Sequence, residues 1–205
     1  MKTGLLLTNF QVSKHRDYIW DIVEATVDHY KNHGEFYAVS CGSCDYPTIH
    51  PKNIDQALDM PIADREQLKH NCPTAIMKAI SKCVKEKCDK ILMVSPYLRA
   101  TNFEFMQSKL CFLSEMNEYV QDTIYYNKEL NPNFIFGDIK IIEKAWTRRQ
   151  WNYNISEPSK NIFENFANIA SARNLILNSK FVTKQDLKAI ELQVFWKTNI
   201  MYHQY

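Results

Sequence analysis

Cys41-Gly-Ser-Cys44 places two thiols three positions apart, with further donors downstream at His50, His70 and Cys72. Two chemistries use such a pair. A redox dithiol needs its first cysteine at a helix N-terminus, where the dipole lowers the thiol pKa. Asp45-Tyr46-Pro47 follows here instead of an amphipathic helix. A tetrahedral zinc site could draw on Cys41, Cys44, His50, His70 and Cys72, but structural zinc sites usually take ligands as two tight couples, and no second close pair exists. The chain has 6 cysteines, the others being Cys83, Cys88 and Cys111. Three disulfides would suit a small secreted chain with a leader, and this sequence reads as neither. The reading is therefore reduced thiols in a cytosolic core, with Cys41 and Cys44 as small residues at a strand end and no metal ligands assigned.

Other motif-borne chemistries are disfavoured. There is no G-x-G-x-x-G after the first apolar run and no G-x-x-x-x-G-K-[ST], which speaks against Rossmann dehydrogenases and P-loop enzymes. The G-x-S-x-G elbow of an α/β-hydrolase is also missing. His29 and His33 stand four apart without the glutamate of a zincin helix, so they read as a solvated helix face. The balance of 25 basic against 23 acidic residues, net +2, does not suggest a nucleic-acid partner. No apolar run approaches the ~20 residues of a membrane span. With 45% hydrophobic residues in 205, the expectation is one cytoplasmic globular domain.

The elements that must position any site follow from periodicity. Thr3–Thr8 is an apolar run too short for a helix and reads as a buried strand. His15–Lys31 carries Ile19, Ile22, Val23, Thr26, Val27 and Tyr30 on one helical face, Gly34 stops it, and Glu35–Ser40 reads as a second strand. This is a βαβ unit with parallel strands. Cys41–Asn71, with prolines at 47, 51 and 61, reads as a long loop. Pro73 suits the first turn of a helix whose stripe is Ile76, Ala79, Ile80, Cys83 and Val84. Asp89–Ser95 is the third strand. Beyond it the spacing predicts helices over Phe105–Tyr119, Ile139–Trp146, Ile162–Ala170 and from Thr183 to Val194, with strands at Asp122–Tyr126 and Asn133–Gly137. The fold class expected is α/β, a single domain over residues 1–205 with a mostly parallel central sheet flanked by helices.

In an open parallel sheet, ligands bind beyond the carboxyl ends of the strands. That rule alone nominates Thr8, Asn9 and Phe10 after the first strand, Ser40 and Cys41 after the second, and Ser95, Tyr97 and Arg99 after the third. The helix start at Asn71–Thr74 would offer free N–H groups to a phosphate, with Lys78 one turn inside it. Strand-end capping is the competing role for Thr8, Asn9 and Ser40. The segment Trp146-Thr-Arg-Arg-Gln-Trp151-Asn-Tyr153 could pack sugar rings or meet an anionic acceptor, although core or lid packing explains its tryptophans equally simply.

The order Leu5–Phe10, helix, Phe36–Cys41, proline-rich loop, helix and Val94-Ser-Pro-Tyr-Leu98 resembles that of GT-A nucleotide-sugar glycosyltransferases, of the type that builds lipopolysaccharide or capsid glycans. Phe134-Ile-Phe-Gly-Asp138 with Ile141–Trp146 resembles their Phe-Phe-Gly, helix, Trp segment, and Ser156-Glu-Pro158 the entry to the next helix. The resemblance implies a GT-A or Rossmann-like fold, with residues 1–100 as a nucleotide-binding half and residues 101–205 as an acceptor-side half, and transfer of a sugar from a nucleotide-sugar donor to a glycan or other hydroxyl acceptor. It also implies nucleoside contacts from Thr8, Asn9 and Phe10, with Ser40 or Cys41 near the base. Such enzymes commonly end the third strand in an acidic motif, Arg-x-Asp-Leu or Asp-x-Asp, that holds Mn²⁺ or Mg²⁺ against the donor diphosphate. This chain has Ser95-Pro96-Tyr97 there and no acid before Glu104. Three possibilities stay open: Arg99 or Lys78 replaces the cation, another acid such as Asp122 or Asp138 fills the position, or the scaffold serves as a non-catalytic binding protein. For an inverting transfer Asp138 is the expected general base, ahead of Glu143 and Glu157, and its competing role is the N-cap of the helix that follows.

Overall fold

The computed structural model describes residues 1–8, 17–41, 50–58, 65–96, 98–114, 134–146, 179–182 and 189–191. Their order is β1 (Thr3–Leu7), α1 (Asp17–Lys31), β2 (Phe36–Ser40), β3 (Gln56–Ala57), α2 (Arg65–Lys85), β4 (Lys90–Val94), β5 (Leu98–Ala100), a 3₁₀ turn (Glu104–Gln107), β6 (Cys111–Ser114), β7 (Phe134–Asp138), α3 (Ile139–Ala145), β8 (Ser179–Val182) and β9 (Ala189–Glu191). Seven strands form one sheet in the order β3-β2-β1-β4-β7-β6-β8, and β5 pairs with β9 apart from it. β1 to β4 are mutually parallel, as are β6 and β8, while β7 runs antiparallel to both β4 and β6. The protein is thus α/β, with a mostly parallel central sheet flanked by helices.

The apolar run of β1 is explained by its central place. Leu6 faces a layer built with Ile76, Ala79 and Ile80 of α2 and Ile139 and Ile142 of α3. Leu5 and Leu7 face the opposite layer, with Val23, Val27 and Tyr30 of α1 and Phe105 beyond. Burying each such leucine contributes about 1.5–3 kcal/mol, so a strand apolar on both faces is strongly held between two helical layers. Close approach is needed at two glycines. A Cβ on Gly4 would lie 2.5 Å from Cys83 Sγ, and one on Gly137 2.4 Å from Cys111 Sγ.

The end of α2 fixes the start of β4. Cys88 N–H donates to Cys83 O and Lys87 N–H to Val84 O, both at 3.0 Å. This is a Schellman motif with Lys87 in the left-handed region at φ 58°. The chain then meets β1: Asp89 N–H donates to Lys2 O at 2.8 Å, and Lys2 N–H donates to Asp89 Oδ2 at 3.0 Å.

Several expectations change. The supposed loop after β2 returns as β3, because Asp55 anchors it: its carboxylate accepts Ala38 N–H at 2.7 Å and pairs with Lys31 at 2.8 Å. Asn53 adds bonds to Glu24 O and Asp28 Oδ1. α2 begins at Arg65, so Pro73 lies in the helix interior and not in its first turn. Val84, expected in the core stripe, is 39% exposed. The helix expected over Phe105–Tyr119 gives way to the 3₁₀ turn and β6, and the one expected from Thr183 contains β9. The elements expected at Asp122–Tyr126 and Ile162–Ala170 lie outside the described residues.

Candidate functional site

α1 and α2 pack on opposite faces of the sheet, and the chain leaves β1 toward β2 but returns past it to β4. The carboxyl ends of β1 and β4 therefore flank the point where the strand order reverses, the place at which open α/β sheets commonly accept ligands. Hydrogen bonds lace this edge together. Thr8 N–H donates to Val94 O at 3.0 Å, Cys41 N–H to Leu7 O at 3.1 Å, and Leu58 N–H to Ser40 O at 2.8 Å. The structure thus brings Thr8, Ser40, Cys41 and Ser95 to one edge, on three adjacent strands. Thr8 and Ser40 are buried, Ser95 is half-buried, and all three are engaged within the fold. Cys41 is buried, and its thiol donates to Leu7 O at 3.5 Å. Asn9, Phe10 and Tyr97 lie outside the described residues, as does Cys44.

Thr74 and Lys78 are placed differently. With the helix starting at Arg65, Thr74 sits in the body of α2, about 14 Å along the axis from its first residue. Its N–H belongs to the helical ladder, so the phosphate-binding start expected at Asn71–Thr74 is corrected. Pro73 accounts for the difference, because its missing N–H suits a first turn, whereas here it removes one ladder bond from the interior of a longer helix. Lys78 is exposed on the helix surface.

Arg99 turns away from the switch point. After β4, Leu98 N–H donates to Ser95 O at 3.0 Å, and the chain doubles back along α1. Thr26, buried in the middle of α1, donates its hydroxyl to Pro96 O at 2.6 Å and accepts from Arg99 Nε at 3.2 Å. Tyr30 continues the seam: its hydroxyl donates to Leu98 O at 3.2 Å and accepts Ala100 N–H at 3.0 Å. His29 Nε2 meets Ala100 O at 2.7 Å. Burial pulls the Arg99 guanidinium below its ordinary pKa, with Tyr30 acting the other way. Burial raises the Tyr30 phenol, against the Ala100 hydrogen bond and Arg99.

Asp138 lies at the other end of the sheet. β7 is antiparallel, so Asp138 stands opposite Lys90, the first residue of β4, while Phe134 stands opposite Val94. Four strand steps, about 13 Å, separate it from the carboxyl edge. Its Oδ1 accepts Lys140 N–H at 2.8 Å, capping α3. The structure does not bring Asp138 together with Thr8, Ser40 and Ser95. Trp146, at the far end of α3, is buried in the α2 layer; Arg148, Arg149 and Trp151 lie outside the described residues.

One pair escaped the sequence reading as a site. Trp20, in the first turn of α1, meets His50 edge-on with ring centroids 4.7 Å apart at 87°. Trp20 packs against the α1 layer, and its Nε1 is buried without a hydrogen-bond partner. The available signal was a tryptophan bordering the apolar stripe just where a helix leaves a parallel strand. Ser95 and Pro96 at the end of β4 offer Mn²⁺ or Mg²⁺ no carboxylate, and among the described residues no group of three or more His, Cys, Asp or Glu could hold a metal ion.

No protein-family model matches the chain. No curated protein matches it either. Among solved structures, it is similar to a glycosyltransferase involved in glycosylation of the major capsid of PBCV-1, at 8% identity and TM-score 0.48, over 89% of this chain and 81% of that one. It is similar to the catalytic domain of Drosophila β1,4-galactosyltransferase 7, at 12% identity and TM-score 0.45, over 91% of this chain and 66% of that one. A third similar structure is A197 from STIV, at 10% identity and TM-score 0.45, over 93% and 94% of the two chains. Among the described residues, no helix is long and apolar enough to cross a membrane.

Proposed function

We propose that the protein binds a nucleotide sugar across the carboxyl ends of β1, β2 and β4 and transfers the glycosyl group to a glycan or other hydroxyl acceptor. The observation that supports this reading is the switch point between β1 and β4, with the polar residues Thr8, Ser40 and Ser95 gathered along its edge. Thr8 and Ser95 supply hydroxyl and backbone groups beside β1 and β4, and Ser40 does so on the neighbouring strand. The Trp20–His50 pair adds an aromatic flank at the start of α1.

Thermal denaturation with UDP, GDP, CMP and dTDP sugars, with Mn²⁺ and with EDTA, tests the reading. A ligand at 100 times its dissociation constant adds about 2.7 kcal/mol if it binds only the folded state. For a chain of this size that raises the melting temperature by about 5–11 °C. Stabilisation by one nucleotide class, weakened by Thr8→Val, is the expected result; no shift with any donor at millimolar concentration overturns it. The distance between Asp138 and the carboxyl edge favours a second reading, a non-catalytic binding protein on the same scaffold. Stabilisation by a donor without release of free nucleotide, over a panel of hydroxyl acceptors, would select that alternative.

A further inference from the structure

We propose that the amino edge of the sheet is a docking surface for an anionic lipid membrane. The large hydrophobic residues exposed among those described are Met1, Val84 and Leu110, at 61%, 39% and 50%. All three lie at this edge: Met1 precedes β1, Val84 is in the last turn of α2, and Leu110 precedes β6. Each adjoins a lysine in sequence, namely Lys2, Lys85 and Lys109. From β1 across β4 and β7 to β6 the row spans three strand spacings, about 14 Å, a footprint suited to several lipid headgroups.

Among the described residues of this edge, lysines outnumber acids. Lys85, Lys87, Lys109 and Lys140 are exposed. Glu86 is shared between Lys2 at 3.9 Å and Lys82 at 3.4 Å, Asp138 is occupied in capping α3, and Asp89 accepts from Lys2 N–H. Glu35 and Asp89 are the exposed acids among the described residues of this edge. Lys82 and Lys85 suit the negative end of the α2 dipole, so local stability accounts for them. It does not account for Lys140, placed in the first turn of α3 where a cation is disfavoured, or for Lys109 in a connection.

An anionic bilayer uses both features. Basic side chains seek its surface potential, and leucine, methionine and valine side chains gain by entering the headgroup boundary. A nucleic-acid backbone would use the lysines alone. Docking by this edge turns the carboxyl edge toward solution, and the inference does not depend on the activity proposed for that edge.

The test is flotation of the full chain with vesicles of phosphatidylcholine, with and without phosphatidylserine. The expected result is binding to the anionic vesicles only, falling as salt rises. Each lysine near the surface strengthens binding about fivefold, so the triple variant Lys85→Gln, Lys109→Gln, Lys140→Gln should bind about a hundredfold more weakly. Leu110→Ser should weaken binding at every salt concentration, and Lys52→Gln, on an exposed loop beside α1, should not change it. All these side chains are solvent-exposed, and melting curves check that each variant folds. Binding indifferent to phosphatidylserine, or to the triple variant, overturns the proposal. So does binding unchanged by Leu110→Ser but displaced by RNA, which would identify a polyanion partner.

Discussion

Thr26→Val tests whether the turn leaving β4 is held by a side chain of α1. The replacement keeps the shape of the threonine but removes a hydroxyl that donates to Pro96 O at 2.6 Å and accepts from Arg99 Nε at 3.2 Å. The site is buried, so the carbonyl is left unpaired at a cost of about 1–3 kcal/mol. Arg99 is half-buried and regains water in part, so its loss is at the low end of that range. The expected destabilisation is about 2–4 kcal/mol, or roughly 4–16 °C in melting temperature for a chain of this size. Thr26→Ser keeps the hydroxyl and loses one methyl, costing about 1 kcal/mol. A double-mutant cycle with Arg99→Met isolates the Nε contact, since Arg99→Met should cost less once the hydroxyl is gone. Melting curves of the four proteins and Thr26→Ser suffice. If Thr26→Val is as stable as Thr26→Ser, or if the costs at Thr26 and Arg99 simply add, the seam does not hold the turn.

Asp138→Ala should lower stability by about 1 kcal/mol through loss of the α3 cap and leave donor binding unchanged; weaker binding with an unchanged melting temperature would contradict the placement of Asp138 at the amino edge. Gly137→Ala should cost about 1–3 kcal/mol, because its Cβ would lie 2.4 Å from Cys111 Sγ, and Cys111→Gly in the same chain should recover part of that loss in denaturant titration. Above pH 10.0, the ordinary tyrosine value, unfolded Tyr30 ionises while the folded phenol, raised by burial, keeps its proton. The stability Tyr30 contributes is therefore complete below pH 10 and is lost as pH rises from there toward the folded value. Alkaline melting curves should show that decline, and Tyr30→Phe should flatten it while lowering stability at neutral pH.

The parts of the fold legible in sequence were those whose period is long enough to register. Leu5, Leu6 and Leu7 announced β1, and the stripe through Ile22, Val23, Val27 and Tyr30 announced α1. β3 was not legible because Gln56 and Ala57 are too short for any alternation; Asp55 and Asn53 hold it through contacts with distant α1 and β2. The start of α2 was misread because Pro73 satisfies a first-turn rule locally, while the packing of Ala75, Ile76, Ala79 and Ile80 stabilises a helix long enough to carry it inside. β6 was read as helix because Phe105, Phe112 and Leu113 are apolar at both periods, and only pairing with β7 decides between them.

For the site, local sequence identified strand ends but not which end each strand presents. Thr8, Ser40 and Ser95 come together because β1, β2 and β4 are parallel, and parallel register carries equivalent positions to one edge. Asp138 also follows an apolar strand, so local sequence gives it the same claim. β7 is antiparallel, however, and its end is the amino edge. The difference is purely topological, since reversing one strand moves its terminal side chain about 13 Å across the sheet without changing a residue. The same reversal puts Lys140 at the amino edge, where Lys109 and Leu110 lead into β6, and away from the carboxyl edge. The sheet therefore separates two chemically different ends, with small polar groups where β1, β2 and β4 finish and lysines among exposed apolar side chains where β1, β4 and β6 begin. Arg99 belongs with neither, because the turn after β4 carries it down the flank of α1, where Thr26 holds it. A ligand at the carboxyl edge would thus be met first by hydroxyl and backbone groups, so its affinity should depend less on salt than binding at the opposite edge.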